Sequence, residues 1–352
     1  MFFSQSKHPV GLDIGSTSLK IVELKKTKQS QFELVHLGAQ EMAPDVIVDG
    51  AVMDSSVVVN AIQSIFENNK VKNNNVALSI SGNAVIIKRI FLPKASGDEI
   101  EESIRWEAEQ YIPFDIDDVS IDFQVSKGQN SEDQQENTEV ILVAAKKEKI
   151  NDYVSVINIA GKKPVIVDVD AFALQNAYEY NYGLDEGKLV SLVNVGASVM
   201  NINILDGGNS VFWRDISIGG NQYNEQIQKS FNVSRESAEN LKKGIETENI
   251  SMEDLMPIIN SVSNSIAIEI QKTIDFYQTA SSKSGLDKIV LAGGSANITG
   301  FAKFLEERFH TEVEIMDALK NVDVDEKVFD PNFLSEISPS LAISVGLALR
   351  EM

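Results

Sequence analysis

The stretch Val10–Leu24, VGLDIGSTSLKIVEL, combines the residue types that hold a phosphate group. One apolar strand ends at Ile14 and a second begins at Leu19, so a tight turn of Gly and small hydroxyl residues lies between them. A glycine lets the backbone approach a ligand closely, and successive N–H groups in such a turn can bind an anion. The candidates for this first phosphate site are Asp13, Gly15, Ser16, Thr17, Ser18 and Lys20, with Asp13 also placed to hold Mg²⁺ through water.

The second half of the chain repeats this pattern. Residues Leu189–Leu205, LVSLVNVGASVMNINIL, give an apolar strand, a Gly-containing turn and another apolar strand. Asn194 takes the position of Asp13, and Gly196 takes that of Gly15. Repetition of one strand–turn–strand unit predicts two lobes of like architecture, each presenting a hairpin to a phosphate. We expect the second phosphate site at Asn194, Gly196 and Ala197.

Two hairpins from two like lobes, closing on one nucleotide, are the core of the actin-like ATPase fold, which this chain resembles. Three further segments narrow the resemblance to the PilM family of type IV pilus assembly proteins: SIRWEAEQYIPFDIDDVSIDF (103–123), VDVDAFALQNAY (167–178) and RDISIGGNQYNEQI (214–227). The likeness extends across essentially the whole chain, and WEAEQYIPF is its most specific part. The resemblance implies that ATP or ADP binds with Mg²⁺ between the two lobes.

The resemblance also assigns the contacts to the nucleoside. Glu239 and Lys242 match the Glu-x-x-Lys pattern that holds the ribose and adenine in the actin-like heat-shock chaperones. Gly293, Gly294 and Ser295 would lie against the adenosine, because paired glycines at a strand end allow a ring to approach the backbone. A solvated helix face would give the same Glu–Lys spacing, and a plain strand-to-helix turn would give the glycines, so these alternatives stay open.

Asp170 and Asn194 decide the prediction on catalysis. The resemblance places Asp170 near a carboxylate that orients the attacking water, although a helix N-cap would explain the same residue. Asn194 departs from the family pattern, in which the second hairpin usually offers Asp. An amide brings no negative charge to Mg²⁺ or to the attacking water. The sequence therefore leaves the enzyme assignment open and predicts a weak ATPase at most.

The elements that position these residues predict an α/β protein with the actin-like ATPase fold. Each of two lobes contains a mixed sheet, and a small α+β subdomain of the FtsA and PilM type is inserted in the first lobe. Hydrophobic periodicity gives this insertion the order β-α-β-β-α-β, and the polar segment 127–139 within it is predicted to be a surface loop. The predicted parts are a first-lobe core (1–84, with 169–188 and 340–352), the insertion (85–168) and a second lobe with an adenosine-binding helical subdomain (189–339).

Composition excludes several classes of partner. The net charge is −21, from 31 Lys and Arg against 52 Asp and Glu, which opposes binding to nucleic acid and to anionic lipid. The chain has no Cys, so it contains no disulfide and no zinc–cysteine site, as suits a reducing cytosol. No apolar run approaches the ~18–20 residues of a membrane-spanning helix. We therefore expect a cytoplasmic protein, and the resemblance implies that it reaches the inner membrane through a partner.

The resemblance implies that this partner is the inner-membrane protein PilN. Its short cytoplasmic N-terminal tail would lie as an extended peptide in a groove between the first lobe and the insertion. Candidate groove residues lie on the strand 85–92 and in the segment 106–114. Other pilus assembly components, pilus motor ATPases and self-association are further contacts that the resemblance allows. The chain would then link the inner-membrane platform to the cytoplasmic machinery.

Two other classes of protein share the nucleotide core and remain as alternatives. An FtsA-like cell-division filament protein would need a membrane-binding amphipathic tail, which we do not find after the last predicted helix at 338–349. An actin-fold small-molecule kinase would need a second, polar substrate pocket, for which the sequence offers no candidate.

Overall fold

The computed structural model describes residues 8–93, 97–125, 137–245, 247, 250–281 and 285–352. Its larger sheets are two five-stranded sheets, one in each half of the chain, and a three-stranded sheet whose strands come before the last strand of the first sheet in sequence. The loop predicted at 127–139 lies outside the described residues, except for its last three residues, which begin a strand.

The first lobe opens with a three-stranded meander that confirms the predicted hairpin. Its first two strands are antiparallel, with Asp13 directly opposite Lys20. A helix follows, capped by Asp54, whose carboxylate accepts the N–H groups of Ser56 and Val57. In chain order these elements are β1 (Val10–Ile14), β2 (Ser18–Lys26), β3 (Phe32–Glu41), β4 (Ile47–Val48), β5 (Ala51–Val52), α1 (Ser55–Asn68) and β6 (Asn75–Ile80).

The inserted unit is a small antiparallel sheet with one helix. Its strands lie in the order β7-β9-β8. One face of helix α2 buries Ile104 and Ala108 against Ile90 and Leu142 of the sheet, which gives this unit its own apolar core. The elements are β7 (Val85–Pro93), α2 (Gly97–Tyr111), β8 (Val119–Val125) and β9 (Asn137–Lys146).

The next helix and strand, α3 (Lys147–Ile159) and β10 (Lys163–Val169), return to the first lobe. Strand β10 pairs in parallel with β6, so the first sheet has the order β10-β6-β1-β2-β3. Tyr153 and Ile157 of α3 are buried in the same apolar cluster as Ile62 and Phe66 of α1. The sheet pairing therefore disagrees with the predicted end of the insertion at residue 168. A local β-α-β-β-α-β pattern cannot show which sheet its last strand joins.

The second lobe repeats the strand order of the first. Its sheet runs β15-β14-β11-β12-β13, with the same sequence of parallel and antiparallel pairs as β10-β6-β1-β2-β3. The predicted internal repeat is thereby present in the structure. The elements are β11 (Leu189–Val195), β12 (Met200–Asp206), β13 (Asn209–Ile216), α5 (Asn221–Phe231), α6 (Arg235–Lys242), α7 (Met252–Ala280), β14 (Lys288–Ala292), α8 (Phe301–Phe309) and β15 (Glu312–Ile315).

Two helices connect the lobes, and they lie in the segments 169–188 and 340–352 that were predicted as parts of the first-lobe core. They are α4 (Asp170–Tyr182) and α10 (Ala342–Ala348), preceded by the short α9 (Pro331–Ile337). Leu174 of α4 and Val345 of α10 share one apolar cluster with Val22 of the first sheet and Leu192 of the second. The lobes are therefore joined through a continuous core. Among the helices within the described ranges, none has the length and hydropathy that crossing a membrane requires.

Candidate functional site

The turn of the first hairpin is tightly closed and brings its predicted site residues together. The N–H of Gly15 donates to Ser18 O over 3.0 Å, which closes the turn tightly, and a Cβ at position 15 would meet that same oxygen at 3.0 Å. Across the strands, Lys20 Nζ lies 3.1 Å from Asp13 Oδ2. The predicted residues of this site therefore stand together at one turn, with a cation and a carboxylate behind the glycine.

The second hairpin reproduces the first. The N–H of Gly196 donates to Val199 O over 3.0 Å, as Gly15 does in the first turn. The two turns face each other, because the hydroxyl oxygens of Ser16 and Ser198 lie 2.9 Å apart. Each half of the chain thus supplies one turn to the same cleft.

Asn194 lies in a polar chain that sequence reasoning missed. Its Nδ2 donates to Asn201 Oδ1 over 2.8 Å, and Asn201 Nδ2 donates to Asp215 Oδ1 over 2.8 Å. The other oxygen of Asp215 accepts the N–H of Gly82 over 2.6 Å, which joins the second lobe to the first. Burial raises the pKa of the Asp215 carboxyl, although the hydrogen bonds from Asn201 and Gly82 favour its charged form. Asp215 on β13 therefore supplies a carboxyl group two strands away from Asn194, the position where the pattern given by the resemblance has Asp.

Glu239 and Lys242 form an ion pair that faces the same cleft. Glu239 Oε2 lies 2.5 Å from Lys242 Nζ and accepts from Asn224 Nδ2 over 2.7 Å. Burial works against ionisation of Glu239, but the lysine charge and these hydrogen bonds outweigh it and bring its pKa below the usual range. Burial lowers the pKa of Lys242. The two side chains are partly buried and ordered by partners, unlike those of a solvated helix face.

The glycines after β14 pack closely on the second hairpin. Gly293 has φ of +90°, and a Cβ there would lie 2.4 Å from Val195 O. Ser295 Oγ donates to Gly196 O over 3.3 Å. Gly219 also contacts this turn, since a Cβ on it would lie 2.5 Å from Gly196 O. The predicted nucleoside and phosphate residues of the second lobe are thus adjacent in space.

Asp170 is the first residue of α4 and not its N-cap, which corrects the N-cap alternative. The cap is Val169, and it forms no side-chain capping bond. Asp170 Oδ1 instead accepts from Ser79 Oγ over 2.6 Å at the wall of the cleft. Burial raises the pKa of Asp170 to about 6, even though hydrogen bonds from Ser79 and Ser81 favour the charged form. A carboxyl group with this pKa can accept a proton near neutral pH, as the predicted role in orienting the attacking water would require. That role stays a hypothesis.

These residues line one cavity of about 720 Å³ between the lobes. Its wall includes every predicted site residue of both hairpins, the Glu239–Lys242 pair, Asp170 and the turn at 293–295. Its lining also contains residues that were not predicted, and three of them bear on the argument below. Lys149 and Tyr153 of α3 and Gly50 of the β4–β5 hairpin also line the cavity, and a lysine on an amphipathic helix gives no signal in the sequence that it faces a ligand site.

A second cavity, of about 1080 Å³, lies between the inserted sheet and the lobes. Strands β7, β8 and β9 supply one part of its lining, β10 and α4 another, and the turn that joins β12 to β13, at 206–211, a third. Among the described residues of its lining, five are acidic and two are arginines. The acidic residues are Asp122, Glu139, Asp168, Glu179 and Asp206, and the arginines are Arg89 and Arg350. A cavity therefore lies between the first lobe and the insertion, where the peptide groove was predicted. The strand 85–92 is in its lining, but no described residue of 106–114 is.

Comparison with known proteins agrees with this geometry. A family model described as type IV pilus assembly protein PilM matches residues 11–352. Among solved structures, the PilM–PilN type IV pilus biogenesis complex is 27% identical with a TM-score of 0.86, over 97% of this chain and 98% of that chain.

More distant structures share the fold alone. The ethanolamine utilization protein EutJ from Carboxydothermus hydrogenoformans is 16% identical with a TM-score of 0.58, over 97% of this chain and 89% of that one. MreB5 of Spiroplasma citri bound to AMPPNP is 14% identical with a TM-score of 0.52, over 96% and 93%. The predicted actin-like ATPase fold is confirmed. Because the family match spans nearly the whole sequence, the chain belongs to the PilM family of type IV pilus assembly proteins.

Proposed function

We propose that this chain is a nucleotide-binding adaptor of type IV pilus assembly. It binds ATP or ADP with Mg²⁺ in the cleft between the lobes and the N-terminal tail of a PilN-like inner-membrane protein in the second cavity. It is cytoplasmic and stays at the inner membrane through that partner. The adaptor thereby links the membrane platform to cytoplasmic components of the machinery.

The observation that carries the nucleotide proposal is the meeting of the two hairpin turns. Both close with the same N–H to carbonyl bond, at Gly15 and at Gly196, and they face each other across 2.9 Å at Ser16 and Ser198. Successive N–H groups at such turns favour an anion, and the adjacent Lys20 adds a positive charge. The cavity between them has the volume of an ordinary small-molecule site.

Magnesium fits this site only together with the nucleotide. Within the described residues, no group of three or more His, Cys, Asp or Glu side chains could hold a metal ion. Mg²⁺ usually keeps several waters and is held by one or two carboxylates and by substrate phosphates. Asp13, at the carboxyl end of β1, is the carboxylate that would take this role.

Lys20→Ala should weaken nucleotide binding. A ligand at one hundred times its Kd stabilises a protein by about 2.7 kcal/mol, so millimolar Mg-ATP should raise the melting temperature of the wild type. Removing Lys20 removes one charge-assisted contact, which costs about 1.5–3 kcal/mol, so most of the shift should disappear at the same ATP concentration. Thermal denaturation with and without Mg-ATP measures both quantities.

The matched control is Lys26→Ala, on the same strand. Lys26 pairs with Glu351 at 3.1 Å outside the cleft, so its loss should leave the ATP-induced shift unchanged. A wild type freed of any co-purified nucleotide that shows no shift with millimolar Mg-ATP would contradict the proposed nucleotide site.

Hydrolysis by the isolated protein should be slow, because Asn194 supplies no charge. A plain N194D variant is a poor test, since Asn194 donates to Asn201 and a carboxylate cannot. The double variant N194D/D215N avoids this problem. The Asn201 amide can turn, donate to the new carboxylate and accept from the new amide, while the N–H of Gly82 keeps an acceptor. The charge then moves to the hairpin without leaving a buried polar group unsatisfied.

We expect the double variant to release phosphate from ATP at least about tenfold faster than the wild type, since each tenfold corresponds to 1.36 kcal/mol of barrier. D215N alone is the control, because it changes the network without placing charge at position 194. Fast turnover by the wild type that is lost in Asp170→Ala would show instead that Asn194 does not limit hydrolysis.

The similarity to the PilM–PilN complex supports the partner proposal, and the second cavity supplies a place for a peptide. Excess acidic residues in its lining favour a tail that carries Arg or Lys. The kinase alternative would need a substrate beside the phosphates, and the described lining residues of the second cavity are all different from those of the cleft. Flotation with liposomes in the absence of a partner would test the FtsA-like alternative.

A further inference from the structure

Lys149 faces the nucleotide cleft from the first lobe. Helix α3 places its ammonium in the cavity lining beside Tyr153. Lys149 Nζ and Tyr153 Oη both donate to the carbonyl oxygen of Gly50, the latter over 3.0 Å. Gly50 is at the tip of the β4–β5 hairpin with φ of +72°, so the two donors fix this hairpin on α3 at the edge of the cleft.

The other lysines that line the cleft each form an ion pair with a carboxylate, whereas Lys149 does not within the described residues. Lys20 pairs with Asp13 at 3.1 Å, and Lys242 and Lys243 pair with Glu239 at 2.5 and 3.5 Å. For Lys149, the described part of the chain offers no carboxylate within 4 Å, only the Gly50 carbonyl and the ring of Tyr153, whose centroid is 5.3 Å away. Burial lowers its pKa, against an attraction at longer range from Asp170, Asp152 and Asp49.

A partly buried ammonium without an anion in direct contact is costly, and a bound anion would offset that cost. An ammonium has three donors, and Gly50 uses one of them. Lys149 can therefore take an anion from the cleft without releasing the hairpin.

Position in the cleft indicates which part of a nucleotide this anion would be. Lys149 is on α3, whose Tyr153 and Ile157 are buried in the core of the first lobe, whereas Lys242 is on α6, whose Leu241 is buried in the core of the second lobe. The two lysines are therefore on different sides of the cavity. A nucleoside held at Glu239 and Lys242, with its first phosphates at the hairpin turns, directs the end of its phosphate chain toward the first lobe.

We propose that Lys149 binds the terminal phosphate of a nucleoside triphosphate and makes the site prefer a triphosphate to a diphosphate. This inference rests on the proposed nucleotide site and adds a specificity-determining residue to it. Its role is separate from that of Lys20, which stands behind the hairpin turn and is already paired with Asp13.

The test compares the affinities for Mg-AMPPNP and Mg-ADP by titration calorimetry, so that hydrolysis does not enter. The wild type should bind AMPPNP about 10- to 100-fold more tightly than ADP, the effect of one charge-assisted contact. K149M should lose this preference and keep its affinity for ADP. K149Q keeps a donor for Gly50 and removes the charge, and it should lose the preference equally. K147M, on the same helix and exposed, is the control that should behave like the wild type.

The outcomes separate the two proposals. If the wild type binds neither nucleotide, the proposed nucleotide site itself is wrong. If the wild type binds AMPPNP and ADP with equal affinity, or if K149M weakens the binding of both nucleotides to the same extent, Lys149 does not bind the terminal phosphate. If K149Q keeps the preference that K149M loses, Lys149 acts by holding the β4–β5 hairpin, and the assignment to phosphate is overturned. Should K149M fail to fold, K149Q decides between these outcomes.

Discussion

Replacing Gly346 with alanine is expected to destabilise the protein by about 2–3 kcal/mol, although alanine is the better helix former by about 1 kcal/mol. A Cβ at position 346 of α10 would lie 1.7 Å from the carbonyl oxygen of Ala173 in α4. Atoms cannot approach so closely, so the two connecting helices would have to separate. On its other side α10 contacts β1, where a Cβ on Gly11 would lie 1.9 Å from Ser344 O. The helix therefore has no room to retreat, and the steric cost exceeds the gain in helix propensity.

Denaturant unfolding of the protein without nucleotide measures this effect. Gly294→Ala is the matched control, because a Cβ there meets no heavy atom within 4 Å and its backbone φ is not in the left-handed region. We expect the control to unfold close to the wild type. Unfolding of G346A at the same or a higher denaturant concentration than the wild type would show that helix propensity dominates and that the helices are not in close contact.

The sequence predicted the parts of the site that local patterns encode. Each hairpin is specified within about fifteen residues, by two apolar strands and a Gly turn, and the structure has both where they were expected. The repeat then predicted the second lobe, because one half serves as a template for the other. The Glu239–Lys242 spacing placed both side chains on one helix face, and tertiary structure determined that this face lines the cleft.

Contacts between distant segments were harder to predict. Strand β10 pairs in parallel with β6, about ninety residues earlier in the chain. Parallel strands are not joined by a tight turn, so no local sequence pattern predicts which strands pair. Asp170 has the residue type of an N-cap, yet its side chain bonds Ser79 across the sheet instead of the helix backbone. Lys149 and Asp215 form their hydrogen bonds, to Gly50 and to Gly82, only in the folded structure. In each of these cases the deciding partner lies far away in sequence.

The partner groove offers the other prediction of large effect. Phe91 of β7 and Val167 of β10 line the second cavity from its two sides, the inserted sheet and the first lobe. Both side chains are unusually exposed for their type, at 52% and 38%, so neither is needed for the core. An apolar residue of a bound peptide that lies between them would bury both. These two positions are therefore suited to test peptide binding without damage to the fold.

Val167→Glu should reduce the affinity for a labelled N-terminal PilN peptide at least about 100-fold, or 2.7 kcal/mol. The new carboxylate would lie in a lining whose described residues already include five acidic ones, and a bound peptide would bury it without a partner. Phe91→Glu should have the same effect from the opposite wall. Fluorescence anisotropy of the peptide against each variant gives the dissociation constants.

The matched control is Ile268→Glu on α7, at 39% exposure and outside both cavities, which should bind the peptide like the wild type. Melting temperature and the ATP-induced shift verify that each variant keeps its lobes folded. These point variants are a better test than deletion of 85–168, because that deletion would also remove α3 and β10 from the first lobe. If both groove variants bind the peptide with wild-type affinity while the wild type binds it in the micromolar range or tighter, the peptide lies elsewhere on the protein.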